Sequence, residues 1–258
     1  MKTLAMFGFL SSIALGWTHV GNNIRGWNQS PVTFYVNYSN CPLSQAEMNE
    51  IIDVAINTWN GITDSNLEVK RAETSLSINA FLNGTATEVP VILCDPNFAT
   101  QIGSPEVYVV PAATFLTRTD SNGNLNYSGI LLNAQNGVDA NIGNLSRGQV
   151  ELTLAHEMGH ALGLGHSSQP EALMYYSLGT KEQPVMTEDD IDGIVHIYPR
   201  NELSGGVLGC AAVKSEPLSP HSATSWKTLI PMMLLLILGW AIGRVAILRA
   251  SEPSALQT

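Results

Sequence analysis

Residues 156–166 constrain this chain more than any other stretch, since they read His-Glu-x-x-His-x-x-Gly-x-x-His. Positions four apart on a helix differ by roughly 40° around its axis, so His156 and His160 face the same way and can share one metal ion. Gly163 can end that helix in a left-handed conformation, and the returning chain then brings in His166. Three imidazoles leave one position of a tetrahedral zinc open for water, which is typical of a catalytic site.

Two further features agree with a metal site at this place. Glu157 follows the first histidine directly and can contact a water held by the metal. The residues before it, 150–155, are apolar enough to predict a buried helix.

The next stretch, 166–175, reads His-Ser-Ser-Gln-Pro-Glu-Ala-Leu-Met-Tyr, and it resembles the matrixins within the metzincin clan of zinc peptidases. Residues 187–194 resemble the matrixin C-terminal helix. The resemblance covers residues 25 to 199. It implies a matrixin-like zinc metalloendopeptidase with a polypeptide substrate, in which His156, His160 and His166 bind one catalytic Zn²⁺. The resemblance also implies that Glu157 is the catalytic base and that Met174 forms the turn under the metal.

The resemblance also raises two questions about the substrate cleft. Matrixins usually carry proline two residues after the Met-turn methionine, whereas this chain has Tyr176. In astacins and serralysins a tyrosine there can stabilise the transition state, so Tyr176 is a candidate catalytic residue or, alternatively, part of the pocket wall. The matrixin cleft follows an edge strand, which is expected at Ile130, Leu131 and Leu132; an ordinary buried strand is the alternative.

Strand and helix patterns alternate along residues 17–200 and predict an α/β (α+β) domain with a twisted mixed sheet and about three helices. Strands are expected at 32–38, 67–71, 89–93, 107–110 and 127–133. A capping box at Ser44-Gln45-Ala46-Glu47 precedes an amphipathic helix that reaches Trp59. The zinc helix is expected over about 147–162, and a last helix, capped by Thr187, ends near His196.

Both ends of the chain carry apolar runs. Residues 1–16 have an early lysine, an apolar stretch and small residues, which predicts a secretory signal peptide. Residues 201–225 are rich in Gly, Ser and Pro and read as a linker. Residues 226–249 then reach the roughly 20 residues that a transmembrane helix needs, and 250–258 would form a short cytoplasmic tail.

The predicted product is a monomeric ectodomain on the extracellular or periplasmic face, tied to the membrane through its C-terminal segment. A removable sorting tail, with Cys210 as its attachment point, is the alternative for that segment. The net charge of −10 argues against a nucleic-acid partner. Cys41 and Cys94 fall in the ectodomain, where they form either a disulfide or two buried thiols.

A calcium-binding loop is a further possibility that the sequence raises. Residues 120–124, Asp-Ser-Asn-Gly-Asn, resemble a calcium loop superficially but lack its glycine offset and terminal glutamate, so a hairpin turn is expected and Ca²⁺ binding stays open.

A non-catalytic surface binding or adhesion module on the same scaffold is the alternative function. The intact Glu157 argues against it, and the matrixin-type turn argues against a cell-wall amidase.

Overall fold

Five strands and five α-helices make up the fold in the computed structural model, which describes residues 16–20, 24–84, 88–179 and 181–200. The strands are β1 (Val32–Asn37), β2 (Val69–Glu73), β3 (Pro90–Asp95), β4 (Ala112–Thr119) and β5 (Leu125–Asn133). The helices are α1 (Gln45–Trp59), α2 (Ile78–Leu82), α3 (Ala99–Ile102), α4 (Arg147–Leu162) and α5 (Glu188–Ile197). Two short 3₁₀ segments, Glu106–Tyr108 and Ile142–Asn144, precede β4 and α4.

The strands form one mixed sheet in the order β2-β1-β3-β5-β4. All neighbours pair in parallel except β4, which runs antiparallel to β5. The turn between these two strands is held by the Asp120 carboxylate, which accepts hydrogen bonds from the backbone N–H groups of Asn122 and Asn124. The predicted mixed sheet and the predicted hairpin turn are therefore confirmed.

The structure corrects the predicted position of the edge strand. Ile130, Leu131 and Leu132 lie in β5, whose two neighbours are β3 and β4, so their backbone groups are not free to pair with a peptide. The edge strand beside β5 is β4, a strand that the sequence pattern did not predict, and β2 forms the opposite edge. The threonines and small alanines of β4 lack the alternation of large apolar residues on which strand prediction depends.

The predicted strand at 107–110 is also wrong. These residues form part of the 3₁₀ segment Glu106–Tyr108 and the turn that follows it. Only Val107 among the apolar residues there is buried, whereas Tyr108 and Val109 are exposed. The segment is enclosed by Pro105 and Pro111, and proline cannot donate a hydrogen bond to a strand ladder. The two short helices α2 and α3 likewise raise the helix number above the expected three.

The sheet buries side chains on both faces because successive residues of a strand point to opposite sides. In β3, Ile92 and Cys94 face the larger core, which α1 and α4 cover, while Val91 and Leu93 face a second core with Phe81 of α2. The predicted capping box of α1 is present at Ser44 and Glu47. The sheet and α1 thus provide a buried support on which α4 lies.

Cys41 and Cys94 are joined by a disulfide with a Cα–Cα distance of 5.0 Å. Residues 16–20 pack along the loop that follows α4: Gly165 N–H donates to the Thr18 carbonyl and Ser168 N–H to the Gly16 carbonyl. The rest of the predicted signal peptide and the predicted linker, span and tail lie outside the described residues. Within the described ranges, no helix is both long enough and apolar enough to cross a bilayer.

Candidate metal centre

Helix α4 carries the first two histidines, and both of its ends are fixed by local interactions. Ser146 caps the start and forms a capping box with Gln149. Gly163 ends the helix at φ 114°, a backbone conformation that favours glycine. The last carbonyls are also held from other elements, since the Trp27 indole N–H donates to the Ala161 carbonyl and the Tyr198 hydroxyl to the Leu162 carbonyl.

The three histidines of the motif converge at the end of this helix. One ring nitrogen from each of His156, His160 and His166 lies within 4.8 Å of those of the other two. The Nε2 atoms of His160 and His166 are 3.2 Å apart. Across the described part of the chain, no other group of three or more His, Cys, Asp or Glu side chains meets this spacing.

The hydrogen bonds of two of these rings fix the nitrogen that faces a metal. Nδ1 of His156 lies 2.7 Å from the Leu173 carbonyl, and Nδ1 of His160 lies 2.8 Å from the Leu164 carbonyl. A carbonyl oxygen can only accept, so each Nδ1 carries the proton and each Nε2 keeps its lone pair. Two lone pairs that face each other, as at His160 and His166, suit a shared cation.

Burial keeps the histidines neutral, which is the form that binds metal. It lowers the pKa of His156 to about 4, and burial together with the neighbouring His156 lowers the pKa of His160 to about 3. The pKa of the more open His166 is also lowered by burial. Three neutral imidazoles whose nitrogens lie close together are a donor set that Zn²⁺ prefers, so these residues fit this metal.

Glu157 is buried beside the triad and is held by Thr114 of the edge strand. The Thr114 hydroxyl lies 2.6 Å from Glu157 Oε2 and 2.9 Å from the Glu157 carbonyl oxygen. Burial raises the pKa of Glu157 to about 7, while the hydrogen bonds from Thr114 act in the opposite direction. A dication at the triad would lower this pKa further, because it favours the ionised carboxylate.

Met174, the expected Met-turn residue, packs against the metal-binding helix α4. Its sulfur packs against Gly159, where an added Cβ atom would lie only 2.3 Å from it. The buried carboxylate of Asp190, in α5, accepts hydrogen bonds from the backbone N–H groups of Leu173 and Met174, each at 2.9 Å. The carbonyl of the same Leu173 accepts a hydrogen bond from His156 Nδ1–H, so Asp190 positions both the turn and, through it, a ligand.

An open cleft of about 440 Å³ borders the centre on one side. His156 and Glu157 line it, together with Ala112 of the edge strand and Tyr176, whose side chain is 68% exposed. Leucines form its apolar wall, at positions 145, 152 and 178. The structure thus brings His156, Glu157 and Tyr176 to one cleft, whereas Ile130, Leu131 and Leu132 are buried inside the sheet.

Sequence reasoning missed two residues that hold the site, Thr114 and Asp190. Asp190 carried a usable signal, because it is the fourth residue of the pattern Thr187-x-x-Asp190, a helix-start pattern, and its carboxylate accepts a hydrogen bond from the Thr187 backbone N–H. Thr114 carried no such signal in the sequence, since its partner Glu157 lies 43 residues away.

Comparison with known proteins gives a family for the part of the chain that holds this centre. Residues 114–199 match the model of the matrixin family, peptidase M10. The chain is 60% identical over 52 residues to matrix metalloproteinase-9 of Canis lupus familiaris, a stretch that covers 20% of this chain and 7% of that protein. It is 45% identical over 74 residues to matrix metalloproteinase-27 of Homo sapiens, covering 28% and 13% respectively.

A plant protein gives the same result. Metalloendoproteinase 5-MMP of Arabidopsis thaliana is 34% identical over 79 residues, which cover 30% of this chain and 22% of that protein. The chain therefore spans less than a quarter of the length of each of these relatives. The predicted resemblance is confirmed over the matched segment: residues 114–199 are matrixin-like, and the described part of the chain has three histidines that can hold zinc.

Proposed function

We propose that this matrixin-like chain is a zinc-dependent endopeptidase that cuts polypeptides outside the cytoplasm, with Glu157 as its general base. The observation that carries the proposal is the convergence of three neutral histidines, the first of which lines an open cleft together with the buried carboxylate of Glu157. Zinc held by His156, His160 and His166 would supply a bound water of lowered pKa and a Lewis acid for the scissile carbonyl.

The residues of the chain then divide the remaining work. Glu157 accepts the proton of the attacking water and passes it to the leaving amine. Burial raises the pKa of Glu157, whereas zinc at the triad would lower it, so the two effects oppose each other in the metal-loaded enzyme. Thr114 holds the carboxylate in one orientation throughout, and Tyr176 lies at the open side of the cleft, where it can contact the developing oxyanion.

The substrate is an extended peptide that pairs with β4. This strand is the edge of the sheet, so one row of its backbone donors and acceptors is open to a further strand. Its residue Ala112 lines the cleft next to Glu157, so a peptide added there would lie across the metal centre. The leucine-lined part of the cleft favours an apolar side chain next to the cut bond.

The location follows from the two ends of the chain and the disulfide. We propose that residues 1–16 direct secretion and that 226–249 anchor or sort the domain at the outer surface. The Cys41–Cys94 disulfide supports an oxidising compartment.

The test is cleavage of a quenched fluorescent peptide library by the purified full-length chain. We expect cleavage that is lost with a zinc chelator, restored by added Zn²⁺, and reduced at least 1,000-fold in Glu157→Gln. A matched control, the exposed Glu188→Gln of α5, should cut at the wild-type rate. Full zinc occupancy without any cleavage would favour a non-catalytic binding module on the same scaffold.

A further inference from the structure

Helix α4 contains a glycine, Gly148, that its own backbone does not require. Gly148 is the second residue of the helix and is not held at a positive φ, whereas Gly163, which ends the helix, has a φ of 114°. Alanine forms helices more readily than glycine, because glycine loses more conformational freedom on folding. The helix itself would therefore accept alanine at position 148, and the need for a hydrogen there comes from a neighbouring part of the chain.

That neighbour is the backbone of Glu182. A Cβ atom added to Gly148 would lie only 2.5 Å from the Glu182 carbonyl oxygen and 3.7 Å from its carbonyl carbon. Carbon atoms pack best at about 3.5–4.0 Å, so the shorter of these two distances is a clash. The obstacle is a main-chain carbonyl group, which cannot rotate aside as the end of a flexible side chain can. A side chain at position 148 therefore requires the chain at Glu182 to move away from α4.

The contact between Gly148 and Glu182 lies beside the catalytic cleft. Gln149, the next residue of α4, lines the cleft, and so does Lys181, which directly precedes Glu182. The contact thus joins the two walls of the cleft. One wall is α4, and the other is the wall segment, which we define as residues 176–179 and 181–182.

The contact is also distant from the metal-binding end of the cleft. Gly148 precedes His156 by eight residues, which corresponds to about 12 Å along a helix that rises 1.5 Å per residue. Between them, the buried Leu152 and Thr153 line the cleft. A substrate side chain that enters beside His156 can run along this face of α4, and it approaches the junction with Glu182 only if it is long.

We propose that Gly148 is a specificity-determining residue: by letting Glu182 seat the wall segment directly on α4, it limits the length of the substrate side chain that the cleft accepts. This inference rests on the peptidase function proposed above. A methyl group at position 148 pushes the wall segment outward and lengthens the cleft. Lys181 can follow that movement, because its long, flexible side chain holds the segment through a 2.6 Å hydrogen bond from Nζ to the Pro170 carbonyl.

The experiment measures kcat/KM of the full-length, zinc-loaded chain on quenched fluorescent peptides that differ only in the residue after the cut bond. That residue carries an unbranched alkyl side chain of three to ten carbons. The wild type should cut best at one length and lose activity beyond it. In Gly148→Ala the best length should increase by two or more carbons, and kcat/KM for the longest peptide, relative to the best wild-type substrate, should rise at least tenfold. Hydrogen exchange of the wall segment, followed by mass spectrometry, should be faster in this variant because its seat on α4 is lost.

Arg147→Ala is the matched control, because it changes the adjacent, exposed residue of the same helical turn and adds no atom beside Glu182. Its length profile should equal that of the wild type. The inference is overturned if Gly148→Ala and the wild type share one length profile, or if the wall segment exchanges equally fast in both. A wild-type chain that cuts none of the peptides would overturn the proposed function as well, which distinguishes the two failures.

Discussion

The hydroxyl of Thr114 lies 2.6 Å from the carboxylate of Glu157, and this contact joins the edge strand of the sheet to the metal-binding helix. A hydroxyl has one proton, so the shorter contact identifies the carboxylate as its acceptor. Thr114→Val keeps the shape of the side chain and removes that bond. We expect kcat/KM to fall about tenfold, which corresponds to about 1.4 kcal/mol of transition-state stabilisation. Thr114→Ser should restore it, and equal rates for all three would contradict the role.

The same bond predicts a change in pH dependence. The base works in its ionised form, and the hydrogen bonds from Thr114 lower the pKa of Glu157 against the effect of burial. Thr114→Val removes the side-chain hydrogen bond and leaves the backbone one, so the pKa of Glu157 rises and the acid limb of kcat/KM should move to higher pH. A pH profile from 4 to 9 with saturating zinc measures this. A shift to lower pH, or none, would contradict the assignment of Glu157 as the base.

Tyr176 gives a prediction that separates catalysis from binding. It lines the cleft with His156 and Glu157, and its exposed ring lies 4.4 Å from that of Tyr175, centroid to centroid. If its hydroxyl stabilises the transition state, Tyr176→Phe lowers kcat about tenfold and leaves KM nearly unchanged. Tyr108→Phe, an exposed tyrosine outside the lining of the cleft, is the control. Wild-type kinetics in Tyr176→Phe would make the residue a part of the pocket wall only.

Asp190 predicts a loss of both stability and metal affinity. Its buried carboxylate accepts from Leu173, Met174 and Thr187, so Asp190→Asn replaces an acceptor oxygen with a donor among backbone donors. We expect the free energy of unfolding to fall by about 3 kcal/mol, which corresponds to a Tm lower by roughly 10 °C. Zinc should also dissociate faster, because the Leu173 carbonyl orients His156. Calorimetry of apo and zinc-loaded protein tests both; the exposed Asp192→Asn should change neither.

The disulfide predicts sensitivity to reduction. Cys41 and Cys94 are 53 residues apart, and a cross-link over a loop of that length stabilises the folded state by about 4 kcal/mol in the chain-entropy model. The double variant Cys41→Ala/Cys94→Ala should unfold at correspondingly lower urea concentration. Cys210→Ala, in the predicted linker, should behave as the wild type. Equal unfolding midpoints for the double variant and wild type would contradict the estimate.

The metal centre could be predicted from the sequence because its geometry is local. His156 and His160 need only one helix, and Gly163 needs only its own backbone conformation to turn the chain toward His166. Helix α1 was likewise placed by its spacing and its capping box, and α4 by the zinc motif and the apolar residues before it. In each case the partners lie within a few residues, where periodicity carries the information.

The edge strand could not be predicted in this way. Its assignment depends on which strands pair, and β3 pairs with β5 while the intervening β4 pairs outside them. The same limit applies to Thr114 and to Asp190, whose bonds reach Glu157 and Leu173 in other elements. The same limit applies to Gly159. The sequence predicts its position in the helix, but its packing against Met174 is a tertiary contact that the sequence does not reveal.

Zinc content of the purified full-length chain tests the central claim most directly. Elemental analysis after dialysis should give one zinc per wild-type chain and one per Glu157→Gln, because the base is not a ligand. His160→Ala should hold less than a tenth of that amount, since two imidazoles bind zinc far more weakly than three. A wild-type chain without zinc, or His160→Ala with a full complement, would contradict the account.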